Sequence, residues 1–197
     1  MKKVFTLVLA ILVCAALVFP VLAAEGFVPS ITYKGYPDIV RTQTPDGKKA
    51  VGVIYKDGEF AEAVGDGCLV IVPVAQAKDS NKITDEQRDQ LLKIYDELSN
   101  GTMTLPYGDD VDADKMVVRE LMEVHLACSH EHATNLPLPG YTFGVTFDLG
   151  VKTTDKIVVM TYIDNKWAPA EKVTINSDGS ATIIFEDLCP VAIAIEA

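Results

Sequence analysis

The chain has 197 residues, of which 49% are hydrophobic and 23% are charged, and its formal net charge is -11. This composition excludes a disordered tail, a collagen-like fibre and a coiled coil. An acidic surface repels phosphate backbones and anionic lipids, so we expect no nucleic-acid partner.

The first 23 residues have the organisation of a Sec-type signal peptide. Lys2 and Lys3 provide a positive start, residues 7–19 form an apolar segment, and Pro20 precedes the small residues Ala23 and Ala24. The apolar segment is shorter than the roughly 18 residues that a membrane-spanning helix needs. We therefore predict a cleaved leader over residues 1–23, no membrane span after cleavage, and a secreted or cell-surface location.

Residues 24–121 are predicted to form an α+β domain. Short apolar segments separated by turn residues predict strands over 31–33, 39–41, 51–55 and 68–74. The last of these segments is apolar at successive positions, which predicts a central strand covered on both faces.

The same domain should contain two helices. The clearer one is predicted over 85–100, because Thr84 and Gln87 form a capping-box pattern and Gly101 provides a stop. Leu91, Ile94, Tyr95 and Leu98 recur at helical spacing on one face, and Leu91, Tyr95 and Leu98 are predicted to form its buried stripe. A second, shorter helix is expected to begin at Asp112 and to give way to a strand near Met122.

Residues 122–197 are predicted to form an antiparallel domain that resembles a β-sandwich. Alternating apolar residues and turn signals predict the strands 143–149, 157–163, 171–175, 181–185 and 191–195. Turns are expected at Asp164-Asn165 and Asp178-Gly179. The predicted fold class is thus α+β, with an N-terminal strand-and-helix part packed against a C-terminal β-sandwich-like part.

All three histidines lie in one short window that also holds a cysteine, namely His125, Cys128, His130 and His132. Imidazole and thiolate groups are ligands for zinc or copper, and strand residues two apart share a face. The spacing matches no zinc-finger pattern, so a polar loop without metal is the alternative interpretation. The window is the candidate metal site of this chain, with zinc or copper as the possible ion.

Three cysteines remain after the leader, which contains Cys14, is removed. An odd number in an exported protein indicates a free thiol, a metal ligand or an intermolecular bridge. Cys68 and Cys189 lie in apolar predicted strands and are expected to behave as buried hydrophobic residues. Cys128 should then be the most reactive thiol. The alternatives are that Cys128 binds a metal ion or that it forms a disulfide bridge with Cys68 or Cys189.

Four phrases of the chain carry a resemblance: PSITYK at 29–34, CLVIVPV at 68–74, YDELS at 95–99 and FEDLCPVA at 185–192. They resemble an uncharacterised family of exported and cell-surface proteins of Gram-positive anaerobic bacteria. The resemblance implies a cell-surface protein with an anchor after the last strand, and it brings no catalytic motif. This chain stops at the last strand, which favours release.

The sequence contains neither a G-x-S-x-G motif nor a cysteine with a catalytic signature. This favours an exported extracytoplasmic binding or interaction protein over an enzyme, with an extracellular protein, a glycan or a second copy of the chain as its partner. A metal-binding extracytoplasmic protein that uses the histidine window is the alternative. A hydrolase whose site is assembled from residues distant in sequence is the second alternative.

The leader prediction can be tested by intact mass. Secretion from a bacterial host should yield a protein whose mass corresponds to cleavage close to Ala23, because the n-region, apolar segment and small-residue site occur in the required order. A full-length product retained in the membrane would contradict the predicted cleavage.

Overall fold

The computed structural model describes residues 37–127 and 139–196, and these residues form mostly antiparallel β structure. The strands are β1 (Thr42–Gln43), β2 (Lys49–Ala50), β3 (Gly52–Lys56), β4 (Glu59–Val64), β5 (Leu69–Pro73), β6 (Met116–Leu126), β7 (Tyr141–Asp148), β8 (Ile157–Ile163), β9 (Lys166–Pro169), β10 (Lys172–Ile175), β11 (Ser180–Phe185) and β12 (Pro190–Glu196). The helix α1 spans Asp85–Ser99, and the segments Val74–Asp79 and Ala113–Lys115 form short 3₁₀ helices.

Two five-stranded antiparallel sheets organise these strands. The first, called sheet I, has the order β10-β11-β7-β3-β4, and the second, called sheet II, has the order β5-β6-β12-β8-β9. The short strands β1 and β2 pair separately. Neighbouring strands run antiparallel throughout both sheets, so strand ends that are distant in sequence meet at the same edge.

The main hydrophobic core lies between the two sheets. Sheet I contributes aromatic and branched side chains, and sheet II contributes residues from one face of β5, β6, β8 and β12. The fully buried large members include Ile54, Met122, Phe143, Phe147, Ile183, Phe185 and Ile193. The inward-facing residues alternate along β7 as Phe143, Val145 and Phe147, which is the period of a strand.

A second apolar cluster covers the opposite face of sheet II. It combines Leu91, Ile94 and Leu98 of α1 with sheet residues such as Met160 and Ala192. Sheet II is therefore the middle of three layers, with sheet I on one side and the helix on the other. Its strand β12 places valine and isoleucine toward sheet I, and the alanines Ala192 and Ala194 toward the helix layer.

The helix α1 begins as its sequence predicts. The Thr84 hydroxyl accepts a hydrogen bond from the Gln87 amide at 3.2 Å, and the Gln87 side chain accepts one from the Thr84 amide at 2.9 Å. These two bonds form a complete capping box. The helix ends at Ser99, and Gly101 adopts a φ of 73° just beyond it. The predicted helix and its start are confirmed.

The sandwich-like antiparallel architecture agrees with the prediction, but the division into two parts is supported only in part. Each sheet combines strands from both predicted parts, since β3 pairs with β7 and β6 pairs with β12. The boundary predicted between residues 121 and 122 falls inside β6. Pairing between distant segments, which short-range patterns do not specify, produces this mixed arrangement.

The second predicted helix is wrong. Only Ala113–Lys115 forms a 3₁₀ turn, and the eleven residues of Met116–Leu126 form the strand β6. The strand expected near Met122 is present and begins earlier. Val118 and Leu121 face the helix layer while Met122 and Val124 face sheet I, so burial on two sides produced an apolar pattern that resembled a helical one.

The strand β5 is covered on both faces, as predicted, but it is not central. Ile71 packs between the sheets and Val72 packs in the helix-side cluster. Within residues 37–127 and 139–196, β5 is an edge strand of sheet II and pairs with β6 alone. The predicted strand at 31–33 lies outside the described residues. The strand β4 was not predicted, because the apolar residues of its sequence EFAEAV do not alternate strictly with polar ones.

The buried face of α1 predicts a stability test. Leu91 is fully buried, so Leu91→Ala should lower the free energy of unfolding by about 2 to 5 kcal/mol. Leu92 is only partly buried, and Leu92→Ala is the matched control that should cost less. Urea denaturation measures both, and equal losses would contradict the assigned face. On the predicted face, Ile94 and Leu98 are buried with Leu91, and Tyr95 is only partly buried.

Candidate functional site

A surface cavity of about 540 Å³ lies at one edge of sheet I. The end of β3, the start of β7, the start of β10 and the end of β11 meet there, because these neighbouring strands are antiparallel. Its lining comes from the turn after β3, the residues that enter β7, and two glutamates beside β10 and β11: Asp57, Gly58, Pro139, Gly140, Tyr141, Thr142, Glu171 and Glu186. A shared edge thus assembles a site from four separate parts of the sequence.

The floor of the cavity is built by a close contact between the β3–β4 turn and the residues that enter β7. The Asp57 amide donates a hydrogen bond to the Gly140 carbonyl at 2.6 Å. A Cβ atom at position 140 would lie 2.5 Å from Asp57 Oδ1, and Gly140 has a φ of 81°. Both constraints favour glycine at this position, and Asp57 lines the cavity beside it.

Two exposed carboxylates lie in contact on the cavity wall. A hydrogen bond between the side chains of Glu171 and Glu186 is the main cause that raises the pKa of Glu171, and the negative charge of Glu186 adds to it. When both carboxylates are ionised, they repel each other at hydrogen-bond contact. Tyr141 lies in the same lining, and the Lys56 ammonium is 5.6 Å from the centre of its ring.

A second polar cluster is buried between sheet II and α1. Glu123 of β6 is only 2% exposed, and its Oε1 atom accepts a hydrogen bond from Gln87 Nε2 at 3.1 Å. Its Oε2 atom is buried and has no hydrogen-bond partner among the described residues. Burial is the main cause that raises the pKa of Glu123 from 4.5 to about 7, and the bond from Gln87 opposes this shift.

The connection between β11 and β12 brings two further titratable groups toward Glu123. The charge of Asp187 raises the pKa of Glu123, and burial raises the pKa of Asp187 itself. Cys189 is a buried free thiol, and burial raises its pKa to about 12. A thiol with so high a pKa is a poor nucleophile near neutral pH. The prediction that Cys189 is a buried hydrophobic residue is confirmed.

His125 is the one member of the predicted histidine window that the structure describes. It lies opposite Val70 in the pairing of β6 with β5. Its ring hydrogen-bonds the Lys82 backbone, and burial, the larger effect, lowers the pKa of the ring. Since Nδ1 is buried without a hydrogen-bond partner among the described residues, Nε2 is the nitrogen that donates to the Lys82 carbonyl.

Cys128, His130 and His132 lie outside the described residues. Within 37–127 and 139–196, no three histidine, cysteine, aspartate or glutamate side chains are grouped so that they could hold a metal ion. The zinc or copper site at the histidine window therefore stays a prediction.

The state of Cys68 differs from the expectation. It lies in the turn before β5, where it is partly buried, and it is disulfide-bonded. The expectation that Cys68 behaves as a buried hydrophobic residue is therefore wrong, and a disulfide at Cys68 was one of the alternatives. The apolar residues that follow Cys68 in sequence suggested a strand interior, but the strand begins one residue later.

Trp167 of β9 packs in the helix-side cluster. Its indole Nε1 donates to Met103 Sδ at 3.1 Å, and its ring meets the ring of Tyr162 edge-on with centroids 5.0 Å apart. These contacts indicate a structural role for Trp167. The core that it anchors is the helix-side cluster and not the space between the sheets.

A scan of protein-family models, a search of curated proteins and a search of solved structures each found no match to this chain. No helix in the described part of the chain is long and apolar enough to cross a membrane.

The sequence did not point to either polar cluster. Glu171, Glu186 and Asp57 are three of 28 acidic residues, and they come together only where strand ends meet. Glu123 lies between the apolar residues Met122 and Val124 of β6, and this position was the one local signal that its side chain is buried. Its partner Gln87 was recognised only as a helix-capping residue.

The buried acid predicts a specific pH dependence. Because the folded state raises the pKa of Glu123, the folded chain keeps this proton between about pH 4.5 and 7 while the unfolded chain loses it. Stability should therefore fall as the pH rises through this range, by at most about 3 kcal/mol. Glu123→Gln, which is neutral at every pH, should remove this decrease.

Urea denaturation of both proteins at pH 4.5, 6 and 8 measures the effect. The difference in unfolding free energy between Glu123→Gln and the unmodified protein should grow toward pH 8. Glu59→Gln, at an exposed position of β4, is the control for the loss of a carboxylate away from the helix layer. Parallel pH profiles for the unmodified protein and Glu123→Gln would contradict the prediction.

Proposed function

We propose that this protein is exported and acts outside the membrane as a binding or interaction protein, with the cavity at the edge of sheet I as its ligand surface. The single observation that supports this proposal is the assembly of Asp57, Tyr141, Glu171 and Glu186 around one cavity of about 540 Å³. This volume is in the range that small ligands and side chains of a partner occupy.

The chemistry of the lining favours a partner that brings hydrogen-bond donors or positive charge. Glu171 and Glu186 are acceptors when ionised, and their mutual repulsion is relieved when a cation or a donor group approaches both. Ammonium or guanidinium groups of an extracellular protein meet this requirement, and so do the hydroxyl groups of a glycan. The net charge of -11 adds attraction for a basic partner.

The carboxylate pair is poorly arranged for glycoside hydrolysis. The two carboxyl groups of a glycosidase are separated by about 5 Å or more, since the scissile bond lies between them. Glu171 and Glu186 are in hydrogen-bond contact. Binding is therefore the better proposal for this site than acid–base chemistry.

The experiment is a binding screen followed by substitution at the cavity. Labelled mature protein is applied to panels of basic peptides and of bacterial surface glycans, and affinity is then measured for the ligand that binds best. The double variant Glu171→Gln and Glu186→Gln keeps the side-chain size but removes both charges. It should lower the affinity at least about tenfold, which corresponds to about 1.4 kcal/mol.

A matched control removes the same number of charges from another surface. Asp89 and Asp96 are exposed residues of α1, and the pair Asp89→Asn and Asp96→Asn should leave the affinity within about twofold. An equal loss in both double variants would show that only net charge matters. Absence of binding in both panels would reject the proposal.

A further inference from the structure

Cys68, at one end of the β5–β6 pair, forms a disulfide bond with a cysteine that lies outside the described residues. Cys68 is disulfide-bonded, and Cys189 is free. The chain contains four cysteines, so the partner of Cys68 is Cys14 or Cys128. Cys14 belongs to the predicted leader.

The pairing of β5 with β6 distinguishes these two cysteines. Leu69 lies opposite Leu126, and the Ala127 amide donates a hydrogen bond to the Cys68 carbonyl at 2.8 Å. Ala127 is thus the direct neighbour of Cys68 across the pair, at the separation of hydrogen-bonded strand residues. The next residue of the chain is at most about 3.8 Å further from Cα to Cα, which keeps a cysteine at position 128 within reach of Cys68.

We infer that the partner of Cys68 is Cys128, and that the bond joins the two ends of the segment that carries α1. This segment begins with β5, continues through the Val74–Asp79 3₁₀ helix and α1, and returns along β6. A bond at its base restricts the unfolded chain over about 60 residues, which is the main way in which a disulfide stabilises a protein. It also assigns Cys128 as a disulfide sulfur instead of a thiolate ligand for metal.

The bond also has a consequence for the compartment. Two thiols lose two protons and two electrons when they form a disulfide, and a disulfide oxidant such as oxidised glutathione accepts them and becomes two thiols. Such bonds persist in extracytoplasmic compartments and are rare in the cytoplasm. The inferred bond therefore agrees with the predicted export, although it does not depend on any ligand of the protein.

Peptide mapping without reductant identifies the partner directly. In the exported protein, from which Cys14 is removed with the predicted leader, lysine and arginine positions place the three remaining cysteines on the tryptic peptides 57–78, 120–152 and 173–197. The exported protein should give one linked species of 57–78 with 120–152, and reduction should separate it. A link of 57–78 to any other peptide, or unlinked 57–78, would overturn the inference.

Stability of the serine variants provides an independent test. Cys68→Ser and Cys128→Ser should lower the urea midpoint by the same amount, and the double variant should show no further decrease because both changes remove one bond. Reductant should lower the midpoint of the unmodified protein to that of the variants and leave the variants unchanged. Cys189→Ser is the control, since its midpoint should still fall when reductant is added. Additive effects of the two single substitutions, or a reductant effect that persists in Cys128→Ser, would reject the bond.

Discussion

Burial of sheet II on both faces is the constraint that shapes the rest of this molecule. Its central strand β12 presents Val191, Ile193 and Ile195 to sheet I and two alanines to the helix layer. Small side chains on the helix side allow α1 to approach the sheet closely, while larger ones fill the space between the sheets. A strand in this position has no face for polar side chains.

The neighbouring strand β6 contains the exception. Glu123 and His125 lie between the apolar residues of a doubly covered strand, and both carry a buried polar atom that has no partner within the described residues. An unpaired buried polar group is costly, so these two positions weaken the layer that otherwise stabilises the fold. Gln87 offsets part of the cost, because its side chain closes the helix cap and also donates to Glu123.

The connection from β11 to β12 links the two polar clusters. Glu186 faces the cavity at the edge of sheet I, and Asp187 acts on Glu123 in the helix-side layer. Glu186 and Asp187 thus belong to different polar clusters, because the chain crosses from sheet I to sheet II in this short connection.

Local patterns in the sequence determined the elements that depend on neighbours along the chain. The capping box of Thr84 and Gln87 defined the start of α1, and alternation of apolar with polar residues defined β7. Short apolar runs at even spacing between turn signals defined β8 and β12. The tertiary structure alone decided that residues 116–126 form a strand, since both faces of β6 are covered by partners far away in sequence. It also decided that the two predicted parts share their sheets, and that Glu171 and Glu186 meet at one cavity. Periodicity reports which side of an element is buried, but it does not specify which distant strand pairs with it.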